Sequence, residues 1–220
     1  YIQVYCTWFR TGATLIVSLL NTRVSGFGKQ RIGLLGGSFN PAHEGHLYVS
    51  IEALKRLKLD AVWWLVSPQN PLKSSKGMAS LNIRLLSAHK VALHPRIRVT
   101  AIEEQLGTRY TIDTLARIKQ KFSTTRFVWI MGSDNLLQIP SWYHWNQIFS
   151  TVSIAVFARE SYDFKALAGM AAHRYRNSRL PIERAAGLAT SELPAWTFLP
   201  LRWHSASSTS IRLSKDWLGT

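Results

Sequence analysis

Short apolar runs alternate with longer stretches of helical periodicity along most of this chain, and that alternation narrows the fold more than any other feature. Ile32 to Leu35 reads as a buried strand. Glu44 to Lys58 reads as a helix, with Leu47, Ile51, Leu54 and Leu57 on one face. Ala61 to Val66 (AVWWLV) is a second strand, Leu81 to Leu93 a helix, and Ile97 to Ile102 a strand. Thr111 to Phe122 is a helix in which Ile112, Leu115 and Ile118 share a face. Phe127 to Met131 is a strand ending at Gly132; Val152 to Phe157 and Trp196 to Leu199 are two more, and Ser208 to Leu218 is a last helix. Strands joined by helices of this length need right-handed crossovers. The expected fold class is therefore α/β, a doubly wound, mostly parallel sheet with helices on both faces. The stretch from Asp163 to Leu193 carries the weakest pattern.

Residues 1 to 30 differ from the rest and are read as an N-terminal extension of uncertain role, with one domain over residues 31–220. Within the extension, Ala13 to Leu20 is the best apolar stretch, and it is far too short to span a bilayer. It is also a poor signal peptide, because the charged segment before it is weak and no small-residue cleavage site follows. The single cysteine, Cys6, excludes an intramolecular disulfide and suggests a reducing compartment, so a cytoplasmic location is expected. A formal net charge of +15 points to anionic partners: nucleotides, nucleic acid or an anionic surface. Scattered basic residues that serve only solubility would give the same number.

The first strand runs directly into GGSFNPAHEGH, Gly36 to His46. Ligands in doubly wound sheets bind beyond the carboxyl ends of the strands. Gly36 and Gly37 lie at such an end. Lacking Cβ atoms, they are expected to let a phosphate approach the backbone and to permit positive φ. The chain then turns through Ser38, Phe39, Asn40 and Pro41 and enters a helix near His43. A helix N-terminus offers unpaired N–H groups and partial positive charge. His43 and His46, three apart on the first turn, project from one side toward the same anion. The spacing is not that of the dinucleotide-binding glycine fingerprint. A zinc site is the alternative for the histidine pair, but no cysteine or carboxylate set of ligand spacing is nearby, so no metal ligands are assigned.

These residues resemble the H-x-G-H signature of the nucleotidyltransferases, specifically the bacterial nicotinate-nucleotide adenylyltransferases, a Rossmann-like family. Four further stretches follow in the family's order: SPQNPLK (Ser67 to Lys73), RYTIDTL (Arg109 to Leu115), MGSDNLLQIPSWYHW (Met131 to Trp145) and SASSTSIR (Ser205 to Arg212). The resemblance spans Arg31 to Leu218. It implies transfer of the adenylyl group of ATP to nicotinate mononucleotide, with release of pyrophosphate. His43 would then hold the α-phosphate region, and His46 the transferred group or the leaving pyrophosphate. Ser208 and Thr209 would open a second helix on the ATP phosphates, with Arg212 one turn further in to stabilise pyrophosphate. Gly132 and Asp134 would serve the adenosine side of ATP, and Lys73 would meet phosphate. Trp142 and Tyr143 fall where the family stacks a pyridine ring, and Thr111 with the backbone of Tyr143 would receive the nicotinate carboxylate. Mg²⁺ would arrive on the ATP phosphates. The partners implied are ATP and a pyridine mononucleotide, in a monomer or homodimer; neither nucleic acid nor membrane is expected.

The chain departs from the family at a few positions. Ser38 and Asn40 stand where the family often has Thr and Asp, and Leu72 stands where many members have a histidine before the lysine. Taken alone, each motif has an ordinary structural explanation, such as a capping motif for Ser208 and Thr209 or core packing for the aromatics. Three rival readings are weighed at this level. One is the same chemistry on another acceptor: nicotinamide mononucleotide stays open, whereas the Trp142–Tyr143 stretch and the length argue against phosphopantetheine. The second is a basic RNA-binding module without catalysis, although no basic run interleaved with aromatics is present. The third and weakest is a synthetase-like catalytic core, which shares the histidine motif but for which the chain is short.

Overall fold

The computed structural model describes residues 30–68, 77–158 and 163–201. Its frame is a seven-stranded sheet: β1 (Arg31–Gly37), β2 (Ala61–Val66), β3 (Ile97–Thr100), β4 (Arg126–Gly132), β5 (Ser153–Phe157), β6 (Arg179–Leu180) and β7 (Trp196–Leu199). The strand order is β3-β2-β1-β4-β5-β7-β6, and every pairing is parallel. The apolar runs of the sequence, buried on both faces, are what such a sheet requires. Registers such as Leu35 opposite Trp64 and Ile130 bring Gly37, Val66 and Gly132 to one edge of the sheet.

The helices are α1 (Glu44–Arg56), α2 (Leu81–Val91), α3 (Ile102–Leu106), α4 (Thr111–Lys121), α5 (Ser133–Gln138), α6 (Trp145–Thr151), α7 (Asp163–Leu167) and α8 (Met170–Arg174). Two separate cores show how they divide. Leu54 and Leu57 from α1 and its end, and Ala88 from α2, pack with Leu35, Trp64 and Val128 on one face. Ile112, Leu115 and Ile118 from α4, with Ile148 and Phe149 from α6, pack with Leu34 and Trp129 on the other. Helices therefore cover both faces, as the alternating pattern implied. The crossover after β1 uses one face and that after β4 the other.

The observed limits refine several expectations. The strand read over Ile97 to Ile102 stops at Thr100, because Ile102 opens α3, closed by Gly107 at φ +60°. In α1 the buried stripe includes Ser50, while Ile51 is only half-buried. Ser50 accepts the indole N–H of the fully buried Trp64 at 2.8 Å and donates to the His46 carbonyl at 2.8 Å. In α2 the buried side chains are Arg84 and Ala88, whereas Leu86 is 63% exposed. Between Asp163 and Leu193 the chain makes α7, α8, two 3₁₀ segments (Arg176–Ser178 and Ile182–Thr190) and the two-residue β6. The helix expected over Ser208 to Leu218 lies outside the described residues. Among the described residues no helix is long and apolar enough to cross a membrane.

The glycine pair does not itself make the turn. Gly36 and Gly37 are both strand residues, and the positive φ falls on Phe39 at +47°. A Cβ on Gly36 would collide with the ring of Trp129, so Gly36 is needed for packing beneath the sheet edge. A Cβ on Gly37 would lie 3.4 Å from the Phe39 ring, an ordinary contact. Gly36→Ala should therefore cost about 1–3 kcal/mol through overpacking. Gly37→Ala should cost less than half of that. Thermal unfolding of the two variants beside the parent chain checks the difference; equal losses would contradict it.

Candidate active site

Beyond the carboxyl ends of β1 and β4 the chain departs in opposite directions, into α1 on one face and α5 on the other. Such a divergence opens a crevice where strand order reverses. The start of α1 forms one wall. His43 is its N-cap, with φ −152° and ψ 169°, and its Nδ1 accepts the Gly45 N–H at 3.1 Å. Three residues on, His46 Nδ1 accepts the His43 N–H at 3.1 Å. The result is a capping box built from two imidazoles. Their ring centroids are 3.9 Å apart, so they share one side of the first turn, as their spacing implied.

The caps have a chemical consequence. A ring nitrogen that accepts a main-chain N–H carries no proton of its own. The neutral forms of His43 and His46 therefore carry their proton on Nε2, which makes each ring a donor at that atom. Phe39 braces the pair. Its ring is 1% exposed, lies 5.1 Å from Trp64 in a stacked arrangement and 4.7 Å from His46. This packing offsets the left-handed backbone of Phe39, a conformation that costs about 1 kcal/mol or more for a bulky residue.

The turn is tied to the segment before α2. Asn40 donates from Nδ2 to Gly77 O at 3.1 Å and accepts at Oδ1 from Ala79 N at 3.1 Å. An amide can do both, whereas an ionised carboxylate could only accept. Asn40 thus supports the turn through the fold. Arg84 lies beneath the same turn, 1% exposed. It donates from Nη1 to Ser38 O (2.7 Å) and Ser67 O (2.6 Å), from Nη2 to Pro68 O (2.8 Å) and from Nε to Ala79 O (2.9 Å). Among the described residues no ion pair includes it.

On the far wall, Gly132 caps α5 without a side-chain bond, and Asp134 sits half-buried in the first turn. Thr111 opens α4, half-buried, next to the N-cap Tyr110. The Tyr110 ring lies 4.5 Å from that of Tyr143, which is 50% exposed. That contact brings the start of α4 to the turn carrying Trp142 and Tyr143. Trp142 is partly buried and packs on the core below. The expected site residues Gly36, Gly37, Ser38, Phe39, Asn40, His43 and His46 follow one another from the end of β1 into α1, and Gly132 with Asp134 from the end of β4 into α5. Lys73, Ser208, Thr209 and Arg212 lie outside the described residues. So does the convergence of two helix starts on one triphosphate.

Sequence reasoning missed Arg84, Tyr110 and Glu103. Tyr110 stands within the RYTIDTL motif, a signal that could have found it. Arg84 had none, because a lone arginine in a weakly patterned helix looks exposed. Glu103, in α3, hydrogen-bonds the Ser67 side chain; burial pushes its carboxyl from 4.5 up to about 7, with the Ser67 bond pulling the other way. Among the described residues no group of three His, Cys, Asp or Glu side chains is placed to hold a metal ion.

A parallel sheet whose switch-point helix begins with paired imidazole donors defines a nucleotide-binding α/β protein. Residues 34–214 match the cytidylyltransferase-like family model. The chain belongs to the cytidylyltransferase-like family. It is 54% identical over 187 residues to a Parvibaculum lavamentivorans protein named "Probable nicotinate-nucleotide adenylyltransferase", covering 85% of this chain and 93% of that one. A Cereibacter sphaeroides protein of the same name is 46% identical over 188 residues, covering 86% and 99%. A solved Plasmodium falciparum nicotinic acid mononucleotide adenylyltransferase, complexed with NaAD, shares the fold at 17% identity and a TM-score of 0.63, covering 84% and 83%.

The raised Glu103 carboxyl makes a pH prediction. An acid that binds its proton more tightly when folded stabilises the fold fully below about 4.5, and that contribution is lost as pH rises through about 7. The melting temperature of the parent chain should fall relative to Glu103→Gln between pH 5 and pH 8. Circular dichroism melts across that range measure it; a constant difference would contradict the assignment.

Proposed function

We propose that this chain transfers the adenylyl group of ATP to nicotinate mononucleotide, giving deamido-NAD and pyrophosphate, as a step of pyridine-nucleotide biosynthesis. The observation that carries the reading is the double-histidine capping box at the switch point, in a chain 54% identical to a relative named for that activity. In this reading a phosphate oxygen of the mononucleotide attacks the α-phosphorus of ATP in line. That oxygen is already ionised at neutral pH, so the step needs neither a general base nor a covalent enzyme intermediate. Catalysis is then positioning and charge neutralisation.

His43 and His46 supply Nε2 donors to the α-phosphate and to the departing pyrophosphate, and the helix N-terminus adds its dipole. Arg212, with Ser208 and Thr209, is assigned to the pyrophosphate from the opposite side, and Lys73 to phosphate; these four assignments rest on the motifs alone. Gly37 and Ser38 are assigned to the phosphate wall, with Phe39 packed behind them, and Gly132 with Asp134 to the adenosine wall. Trp142, Tyr143 and Thr111 are assigned to the pyridine ring and its carboxylate, an arrangement supported by the Tyr110–Tyr143 contact. Mg²⁺ is assigned to the ATP phosphates, where it would supply charge neutralisation. Residues 31–220 are assigned as the catalytic domain, with residues 1–30 an extension to it, and the cytoplasm as its location. The family match over residues 34–214 supports the first assignment, and the single cysteine the last.

Pyrophosphate release, followed with nicotinate and nicotinamide mononucleotides in parallel, tests the reading. The nicotinate substrate should be favoured; equal rates would remove the acceptor assignment, and no ATP-dependent release with either would remove the reaction. His46→Ala should lower turnover about 10²-fold or more. His46→Asn keeps an acceptor for the His43 N–H but lacks Nε2, so it should be as impaired while melting like the parent. Near-normal turnover in both would refute the role of His46.

A further inference from the structure

We propose that Arg84 is a positioning residue for the phosphate wall, acting through the main-chain carbonyls that it gathers. This inference rests on the adenylyl-transfer reading of the site. A buried arginine usually answers a carboxylate, yet among the described residues the hydrogen-bond partners of Arg84 are four carbonyl oxygens. Three of them, Ser38 O, Ser67 O and Pro68 O, belong to the chain just beyond the carboxyl ends of β1 and β2. A carbonyl oxygen facing a phosphate is repulsive. Each of the three is turned instead onto one cation.

The Ser38–Phe39 peptide is oriented by one of these bonds. In a trans peptide the C=O and N–H point in opposite directions. With Ser38 O drawn down to Arg84 Nη1, the Phe39 N–H is directed away from Arg84. The next residue, Phe39, has φ +47°, and its ring braces His46. Ser67 is pinned independently. Its N–H donates to Gly37 O at 3.0 Å, and its side chain bonds Glu103. The stems of the first two βα connections are thereby locked together by Arg84 from below. The cation also sits unpaired by any acid among the described residues, so its charge adds to the field at the wall. Burial lowers the guanidinium's pKa below its ordinary value, but an arginine remains charged at neutral pH.

Arg84→Lys and Arg84→Met in the full chain test the proposal. The readouts are melting temperature, KM for ATP, and affinities for tripolyphosphate and for adenosine by calorimetry, all well below each melting point. Lysine keeps the charge but cannot span four carbonyls in a planar fork. Both variants should bind tripolyphosphate about tenfold or more weakly and raise KM for ATP similarly. Adenosine affinity should stay within about twofold. A purely structural role would lower the melting temperature and weaken both ligands alike, and that result would overturn the proposal, as would parental tripolyphosphate affinity in either folded variant. If Arg84→Met does not fold, Arg84→Lys decides on the same readouts. Failure of the parent chain itself to bind tripolyphosphate or turn over ATP would count against the function reading instead, which separates the two.

Discussion

The reversal of strand order between β1 and β4 is the constraint on which the rest depends. Parallel strands must be joined by crossovers of one hand, so strands added to the left and right of β1 carry their helices on opposite faces. The backbone leaving Gly37 and the backbone leaving Gly132 therefore part, and no helix can fill the gap between them. The two imidazoles of α1 stand on one side of that gap and the first turn of α5 on the other. The location of the chemistry follows from chain handedness before any functional side chain is considered.

What stands at the gap is held by buried polar groups. Asn40 spends both ends of its amide on the 77–79 backbone, and Ser50 links Trp64 to the carbonyl of His46. Arg84 closes the set from below. Polar atoms placed this deep are costly unless satisfied, and these find partners in the turns they hold. A turn held by such bonds suits the phosphate contact proposed for it, because donors that need not reorganise stabilise charge most effectively.

Much of the architecture was legible in the residue pattern. AVWWLV is bounded as its composition suggested, and α4 buries Ile112, Leu115 and Ile118 from one face. Elements set by tertiary pairing were hidden. The two-residue β6 exists only because β7 lies beside it, and α3 begins within what reads as a continuing strand. The glycine pair shows the same limit: its place was legible, but its cause was not. Gly36 is required by Trp129, more than ninety positions away, and the unusual backbone conformation belongs to Phe39.

Local sequence alone determined the strand–turn–helix unit and the shared face of His43 and His46, because hydrophobic period and capping act over a few residues. It also carried the family motifs, whose order along the chain needs no folding to be seen. Tertiary structure alone decided that Arg84 is buried beneath the turn, that Tyr110 meets Tyr143, and that Glu103 holds its proton near neutrality. Each of those depends on which distant segments exclude water from the side chain, and solvent exclusion is a property of the packed molecule.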